Sequence, residues 1–141
     1  MVKFSERLSE LMQENNLNST QLSEKISITT STINTWKNGK HGIQLNNLVA
    51  LCKVFSCSLE YLSGRKDVDW KPKKFALENF GKQVRKVLDA KGITTYRMRD
   101  ETRFDGGYLY DWDKGSQPKL NTLVDLANYF ECTLDELVGI E

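Results

Sequence analysis

The chain has 141 residues, with 20 Lys and Arg against 19 Asp and Glu, so its formal net charge is +1. This balance excludes a strongly basic nucleic-acid coat protein but is compatible with local positive patches. Charged residues among the first 30 exclude a secretory signal, and no apolar run approaches the roughly 20 residues that span a bilayer. We therefore expect a cytoplasmic protein with no membrane partner.

Apolar residues spaced three and four apart predict five short helices in the first part of the chain. Their apolar faces carry, in order, Phe4, Leu8, Leu11 and Met12; Leu22 and Ile26; Ile33 and Trp36; Leu48, Leu51 and Phe55; and Leu59 and Leu62. The pattern returns from Phe80, 76 residues after Phe4, and no run typical of a β-strand appears. The sequence thus predicts an all-α protein of two tandem domains, 1–64 and 80–141.

Residues 65–79 lie between the copies and predict an extended linker, because they combine Pro72 with many charges. Residues 65 to 74 hold five basic and two acidic side chains. Four residues are too apolar for simple solvation, which suggests docking on a domain or on a second chain: Val68, Trp70, Phe75 and Leu77. If the linker is ordered, it could direct Lys71, Lys73 and Lys74 toward DNA. The alternative is that these lysines are simply solvated.

Several predicted helix ends carry residues suited to starting or stopping a helix. Asn18, with Gln21 three residues on, predicts a capping box, and Thr29 and Asp105 are predicted N-caps. Asn16 and its counterpart Gly92 suit a left-handed helix end, and Gly39 and Gly115 are predicted to cap the end of the third helix in each copy.

The third predicted helix has two edges of different chemistry. Ile33 and Trp36 form an apolar edge that would pack on the domain's own core. The other edge carries short uncharged polar side chains at i and i+4: Thr30, Ser31, Asn34 and Thr35. Asparagine can bond adenine through two hydrogen bonds, hydroxyls reach several bases, and a threonine methyl can touch the thymine methyl. These four residues are the predicted base-reading set, with a leaning toward A·T-rich half-sites.

Residues 17–40 read LNSTQLSEKISITTSTINTWKNGK and resemble the helix-turn-helix of the phage-repressor family, the Cro and CI-like or XRE-type DNA-binding domains. The following Leu-x-x-Leu-x-x-Leu-Cys and Ser-Leu-Glu-Tyr-Leu resemble that family's fourth and fifth helices. The resemblance implies two tandem five-helix lambda-repressor-like domains, the second matching more loosely. It also implies phosphate contacts by Ser19, Gln21, Lys37, Asn38 and Lys40, although a solvated surface charge is the alternative for the two lysines.

The second copy departs from the family's pattern around its third helix. Arg99, Thr102 and Arg103 stand where the family has small or apolar residues, and Gly106 and Gly107 open the helix at a cost of roughly 0.5–1 kcal/mol each. Three carboxylates there would face phosphate with the wrong sign: Asp105, Asp111 and Asp113. We therefore expect that this copy does not read DNA in the same way as the first.

Two uses of the second copy remain open from the sequence. Arg97, together with Arg99 and Arg103, forms a basic cluster that could contact a DNA backbone. Alternatively, Tyr108 and Tyr110 could anchor a protein partner, since tyrosine and arginine dominate interface hot spots. Trp112 matches Trp36 and is assigned to the core.

Catalytic and metal chemistry find little support in the sequence. Cys57 and Cys132 are repeat equivalents near phenylalanines, which favours buried reduced thiols, and His41 has no partner at metal-ligand spacing. We predict no metal, no cofactor and no enzyme activity, because no nucleophile is paired with a base and no glycine-rich phosphate loop is present.

The predicted function is a sequence-specific double-stranded DNA-binding transcriptional regulator, a repressor from a phage, a mobile element or a bacterium. By the resemblance it would bind an operator as a homodimer, with half-sites about one helical turn apart, and could take a regulatory protein partner. A monomer that uses both domains as a pseudo-dimer is the alternative to the homodimer, which the difference between the two reading helices disfavours. The alternative is a protein-interaction module that retains the fold, such as an antirepressor, an antitoxin or a host-factor inhibitor.

Overall fold

The computed structural model describes residues 2–40, 42–75 and 77–141, and it divides the chain into two compact units, Met1–Lys73 and Lys74–Glu141. Unit 1 contains α1 (Phe4–Glu14), α2 (Ser19–Ile26), α3 (Thr30–Lys37), α4 (Leu45–Phe55) and α5 (Leu59–Ser63). Unit 2 contains α6 (Phe80–Lys91), α7 (Thr95–Glu101), α8 (Gly106–Asp113), α9 (Leu120–Phe130) and α10 (Leu134–Val138). The described residues form no β-strand, so the predicted all-α class with five helices per copy is confirmed.

The helix ends follow the local chemistry of the sequence. In the predicted capping box, the Asn18 side chain accepts from the backbone N–H of Gln21 at 2.8 Å, and the Gln21 side chain accepts from the backbone N–H of Asn18 at 2.9 Å. Thr29 and Asp105 cap α3 and α8 as predicted. The predicted left-handed residues Asn16 and Gly92 both have positive φ, as do Gly39 and Gly115, which follow α3 and α8.

The core of unit 1 is mainly aliphatic and also contains the rings of Trp36 and Phe55. Leu22 of α2 and Ile33 of α3 are fully buried, and Trp36 is 3% exposed. Burying one such side chain contributes roughly 1.5–3 kcal/mol, so these residues fix the rotation of α2 and α3 about their axes.

The core of unit 2 holds a cluster of aromatic rings. The Phe80 and Trp112 ring centroids lie 5.0 Å apart with the planes at 79°, and Phe104 lies 5.1 Å from Tyr108 and 5.8 Å from Trp112. Trp112 is 3% exposed, in agreement with its assignment to the core. Phe104 lies in the turn between α7 and α8 and is 1% exposed, so a residue of this turn packs its ring into the core.

The segment predicted as a linker is divided between the two units. Its first part lies against unit 1, where Asp67 pairs with the buried Arg7 at 2.8 Å and Asp69 accepts from the backbone N–H of Ser58 at 2.9 Å. The intervening Val68 remains 82% exposed. Asp67 and Asp69 thus hold an irregular strip of chain against the domain.

The second part of that segment belongs to unit 2. Lys74 and Glu141 exchange two backbone hydrogen bonds, of 2.7 and 3.1 Å. Glu78 pairs with Lys86 at 2.7 Å, and the hydrogen bond from this lysine lowers the pKa of the Glu78 carboxyl. Asn79 caps α6 and also donates through Nδ2 to the carbonyls of Trp112 and Asp113, which ties α6 to the end of α8.

None of the three cysteines forms a disulfide, and Cys52 and Cys57 are buried, whereas Cys132 is only half-buried. His41 lies outside the described residues. Among those that are described, no cluster of His, Cys, Asp and Glu could hold a metal ion. In the same part of the chain, every helix is too short or too polar to cross a membrane.

Two helical glycines of unit 2 should respond to alanine with opposite signs. A Cβ on Gly81 would lie 2.9 Å from the backbone nitrogen of Asp113 and closer still to its carboxylate, so Gly81→Ala should separate α6 from α8 and destabilise unit 2. A Cβ on Gly106 would meet nothing nearer than the Arg99 guanidinium at 3.6 Å. Gly106→Ala should therefore stabilise unit 2, by about 0.5 kcal/mol. Urea denaturation of the two variants measures both effects, and a stabilising Gly81→Ala would contradict the close approach of α6 and α8.

Candidate nucleic-acid interface

The α2–α3 pair of unit 1 is joined by a short turn held from both sides. Ser27 ends α2 in the left-handed conformation, with φ of 56°, and Thr29 caps α3. The Ser23 hydroxyl donates across the turn to the carbonyl of Ile28. These contacts fix the direction in which α3 leaves the turn.

The predicted base-reading residues lie along the edge of α3 that faces away from the core. Because Ile33 and Trp36 are buried, the two positions between them, Asn34 and Thr35, face outward. Thr30 and Ser31 lie one helical turn earlier on the same edge. Ser31 and Asn34 are exposed, and Thr30 and Thr35 are half-buried. The edge carries no charged side chain and no large apolar one, so it can approach the floor of a groove closely.

Hydrogen bonds already restrict two of these side chains. Asn34 Oδ1 accepts from the Ser19 hydroxyl of α2 at 2.7 Å. The Thr35 hydroxyl donates to the Ser31 carbonyl at 3.0 Å, so Thr35 offers acceptor lone pairs and a methyl group rather than a free donor. Within the described residues, the hydroxyls of Thr30 and Ser31 have no hydrogen-bond partner.

The predicted phosphate-contacting residues flank this edge at both ends. Ser19 and Gln21 belong to the first turn of α2. The side-chain Oε1 of Gln21 accepts a hydrogen bond in the capping box, which leaves the Nε2 hydrogens of this residue free to donate. Lys37 ends α3 half-buried, and Asn38 and Lys40 follow it exposed. Neither lysine forms an ion pair with any residue that the structure describes, so both ammonium groups are free to meet an anion.

The corresponding edge of α8 in unit 2 has a different character. The four positions that match the predicted reading residues hold Gly106, Gly107, Tyr110 and Asp111. Tyr110 is 61% exposed, and the Lys114 ammonium lies 5.4 Å from its ring centroid. This edge offers two bare backbone positions, one aromatic ring and one carboxylate, so the features expected of a base reader are missing from it.

Two of the three arginines in the predicted basic cluster of unit 2 are paired with carboxylates. Arg97 bonds Glu101 at 2.7 Å, and Arg103 bonds Asp125 at 2.7 Å. Arg99 forms no ion pair within the described part of the chain. The predicted basic cluster is therefore largely neutralised by the unit's own acidic side chains.

The Glu101 carboxylate is held in its charged form. A hydrogen bond of 2.7 Å from the Tyr129 hydroxyl, together with Arg97, keeps the pKa of Glu101 below its usual value. Partial burial, and then the Glu101 carboxylate, raise the pKa of the Tyr129 hydroxyl. Likewise, the hydrogen bond to Asp125 raises the pKa of the Arg103 guanidinium. The Glu101 carboxylate and the Arg103 guanidinium are thus both favoured in their charged forms.

Exposed aromatic rings mark the α7–α8 surface. Tyr108 is 39% exposed, but its ring packs on the aromatic cluster, whereas Tyr110 stands free of the cluster. Tyr96 of α7 is 73% exposed and was not among the candidates from the sequence. In the sequence, Tyr96 could have been singled out as an aromatic residue that lies away from the apolar face of its helix. Three exposed tyrosines are thus the most distinctive surface feature of unit 2.

Comparison with known proteins gives one family. The model of the Cro/C1-type HTH DNA-binding domain matches residues 7–66 and matches again at residues 83–141. Comparison with curated proteins gives no match, and neither does comparison with solved structures. The two family matches fall on the two structural units and together cover most of the chain. The chain therefore belongs to the family of Cro/C1-type helix-turn-helix DNA-binding domains.

Proposed function

We propose that the protein is a sequence-specific transcriptional repressor that binds double-stranded operator DNA through α3 of unit 1. The observation that carries this proposal is the uncharged polar edge of α3, which faces away from the core and has free lysines beyond its end. A helix with short polar side chains on its outer edge can enter the major groove and meet base edges. Membership of a DNA-binding family supports the same assignment.

In the proposed complex, base contacts and backbone contacts come from different elements. Asn34 and Thr35 would face base edges, the first through its amide and the second through its acceptor oxygen and methyl group. The backbone amides and Gln21 at the start of α2, with Lys37 and Lys40 after α3, would hold phosphates and fix the register. Occupation of an operator by this domain would block access to the promoter.

Unit 2 is assigned to protein contacts, in a homodimer or with a regulatory partner. The outer edge of α8 lacks short uncharged polar side chains, and three of the four arginines of unit 2 are paired with carboxylates of the same unit. Exposed tyrosines such as Tyr96 and Tyr110 are residues that dominate protein interfaces. A homodimer would place two copies of α3 on half-sites about one helical turn apart.

The second candidate function is a protein-interaction module without an operator, favoured by the same exposed tyrosines of unit 2. Selection of bound sequences from a random duplex pool by the full chain, in roughly 150 mM salt, separates the two. A recurring motif supports the repressor, and two copies of that motif about one turn apart support the homodimer. The absence of any enriched motif would contradict the proposed function and favour the protein-interaction module.

Lys37 should contribute electrostatic affinity that does not depend on sequence. Lys37→Ala should weaken binding to every duplex and reduce the slope of log K against log salt by about one, because one fewer phosphate is neutralised. The matched control is Lys53→Ala, an exposed lysine on α4, which carries none of the proposed contacts. Fluorescence anisotropy titrations at several salt concentrations measure the slope. A slope unchanged by Lys37→Ala would make this lysine an ordinary solvated charge.

A further inference from the structure

The hydrogen bond between Ser19 and Asn34 connects the two helices of the helix-turn-helix at the proposed reading edge. Ser19 Oγ donates to Asn34 Oδ1 at 2.7 Å, across 15 residues of sequence. A serine hydroxyl has a single hydrogen to donate, and a phosphate oxygen can only accept. Ser19 therefore cannot donate to Asn34 and to a DNA phosphate at the same time.

The donor side of this bond stands on a rigid piece of backbone. Ser19 is the first residue of α2 and lies inside the capping box, in which Asn18 and Gln21 satisfy each other's backbone N–H groups. A hydroxyl attached there has a fixed origin, because the capping box holds the first turn of the helix.

The acceptor side is an exposed asparagine that would otherwise rotate freely. Asn34 lies on the outer edge of α3, and its bond to Ser19 holds the amide in one orientation before any ligand arrives. With one Oδ1 lone pair used, both Nδ2 hydrogens and the second lone pair remain for a base. A side chain that is already ordered in the free protein loses less conformational entropy when it binds a base.

Unit 2 lacks this pair. The positions matching Ser19 and Asn34 hold Thr95 and Tyr110, and no hydrogen bond joins them within the described residues. The amide and the hydroxyl that holds it thus occur together only in the unit whose α3 edge is uncharged and polar.

We propose that Ser19 is a positioning residue for base readout, which sets the orientation of the Asn34 amide instead of contacting phosphate. This inference rests on the proposed function, since it assumes that α3 reads DNA. It replaces the phosphate role that the family resemblance implied for Ser19, and it makes a hydroxyl of α2 a determinant of sequence specificity.

A double-mutant cycle in the full chain tests the inference. Ser19→Ala should weaken binding to the selected operator about 3- to 10-fold, with little change on an unrelated duplex, because only a pre-ordered base contact is lost. In the Asn34→Ala background, Ser19→Ala should have no further effect. A loss shared by both duplexes, and unchanged in the Asn34→Ala background, would overturn the positioning role in favour of a phosphate contact.

Two further variants keep the cycle interpretable. Ser19→Thr retains the hydroxyl and should keep the operator preference of the unmodified chain, which Ser19→Ala is expected to reduce. Thr20→Ala removes the neighbouring hydroxyl, which has no hydrogen-bond partner within the described residues, and should leave the ratio of operator to unrelated binding unchanged. A change in that ratio equal to the change caused by Ser19→Ala would mean that any hydroxyl at the start of α2 acts in the same way, which would also overturn the proposal.

A measurement without DNA separates this inference from the proposed function. The side-chain amide of Asn34 should be ordered in the free protein and become mobile in Ser19→Ala, as seen by NMR relaxation of its NH₂ group. Equal mobility in both proteins would overturn the positioning role even if the protein selects an operator. If instead no operator motif is selected while the Asn34 amide is ordered by Ser19, the proposed function fails and the positioning contact stands.

Discussion

Replacing Asn34 with alanine should weaken operator binding about 10- to 100-fold, or roughly 1–3 kcal/mol, while binding to unrelated duplexes stays nearly unchanged. The reason is that this amide is the one side chain on the proposed reading edge with two donor hydrogens beside an acceptor oxygen, and its loss removes base contacts without removing charge. Thr35→Ala should act in the same direction through its acceptor oxygen and methyl group. Competition binding with labelled operator and mixed-sequence duplex measures the two affinities separately.

Unit 2 supplies a matched control for the Asn34 variant. Tyr110 occupies the position of Asn34 in the second copy, and its ring is exposed. Tyr110→Ala should leave the affinity of unit 1 for a single half-site unchanged. If α8 forms the dimer interface, the same variant should reduce the preference for two paired half-sites. An equal loss on all DNA after Asn34→Ala would show that this residue is no base reader.

Truncating Phe104 should unfold unit 2 and leave unit 1 folded. A buried phenylalanine replaced by alanine typically costs about 3–5 kcal/mol, and a domain of this size has a total stability of similar magnitude. Phe104 is 1% exposed and contacts both Tyr108 and Trp112, so the cavity would open inside the aromatic cluster. Two-dimensional amide NMR of the full chain would show loss of dispersed resonances from residues 74–141 alone.

The Phe104→Ala variant also tests what unit 2 does for DNA binding. If unit 2 forms the homodimer, the variant should bind single half-sites and lose its preference for paired ones. Tyr110→Ala is the folding control, because an exposed ring removed from a helix surface changes stability by about 0.5 kcal/mol or less. A unit 2 that stays folded in Phe104→Ala would contradict the position of this ring in the core.

The helices and their ends could be predicted from the sequence because they depend on neighbours a few residues apart. Asn18 and Gln21 form their capping box within three residues, and the burial of Ile33 and Trp36 follows from helical spacing. The same spacing identifies the outer edge of α3. Short-range chemistry thus locates the candidate site without knowledge of the tertiary contacts.

What the sequence could not provide were contacts between residues distant in the chain. The Ser19–Asn34 bond spans 15 residues, and Arg103, in the turn after α7, pairs with Asp125 of α9. Neither contact follows from helical spacing. For this reason the sequence predicts a basic cluster of Arg97, Arg99 and Arg103, although two of the three are paired with carboxylates. Phe104 was overlooked because it lies between two helices, where helical periodicity does not apply.

The strip of chain after α5 determines where the protein can be cut. Arg7 is buried, packs its guanidinium 3.9 Å from the Tyr61 ring centroid and has Asp67 as its nearest carboxylate, while Asp69 holds the N–H at the start of α5. A fragment that ends with the repeat, near residue 64, would remove both carboxylates and leave a buried cation without its closest partner. The smallest fragment of unit 1 suited to separate study therefore runs through Lys73.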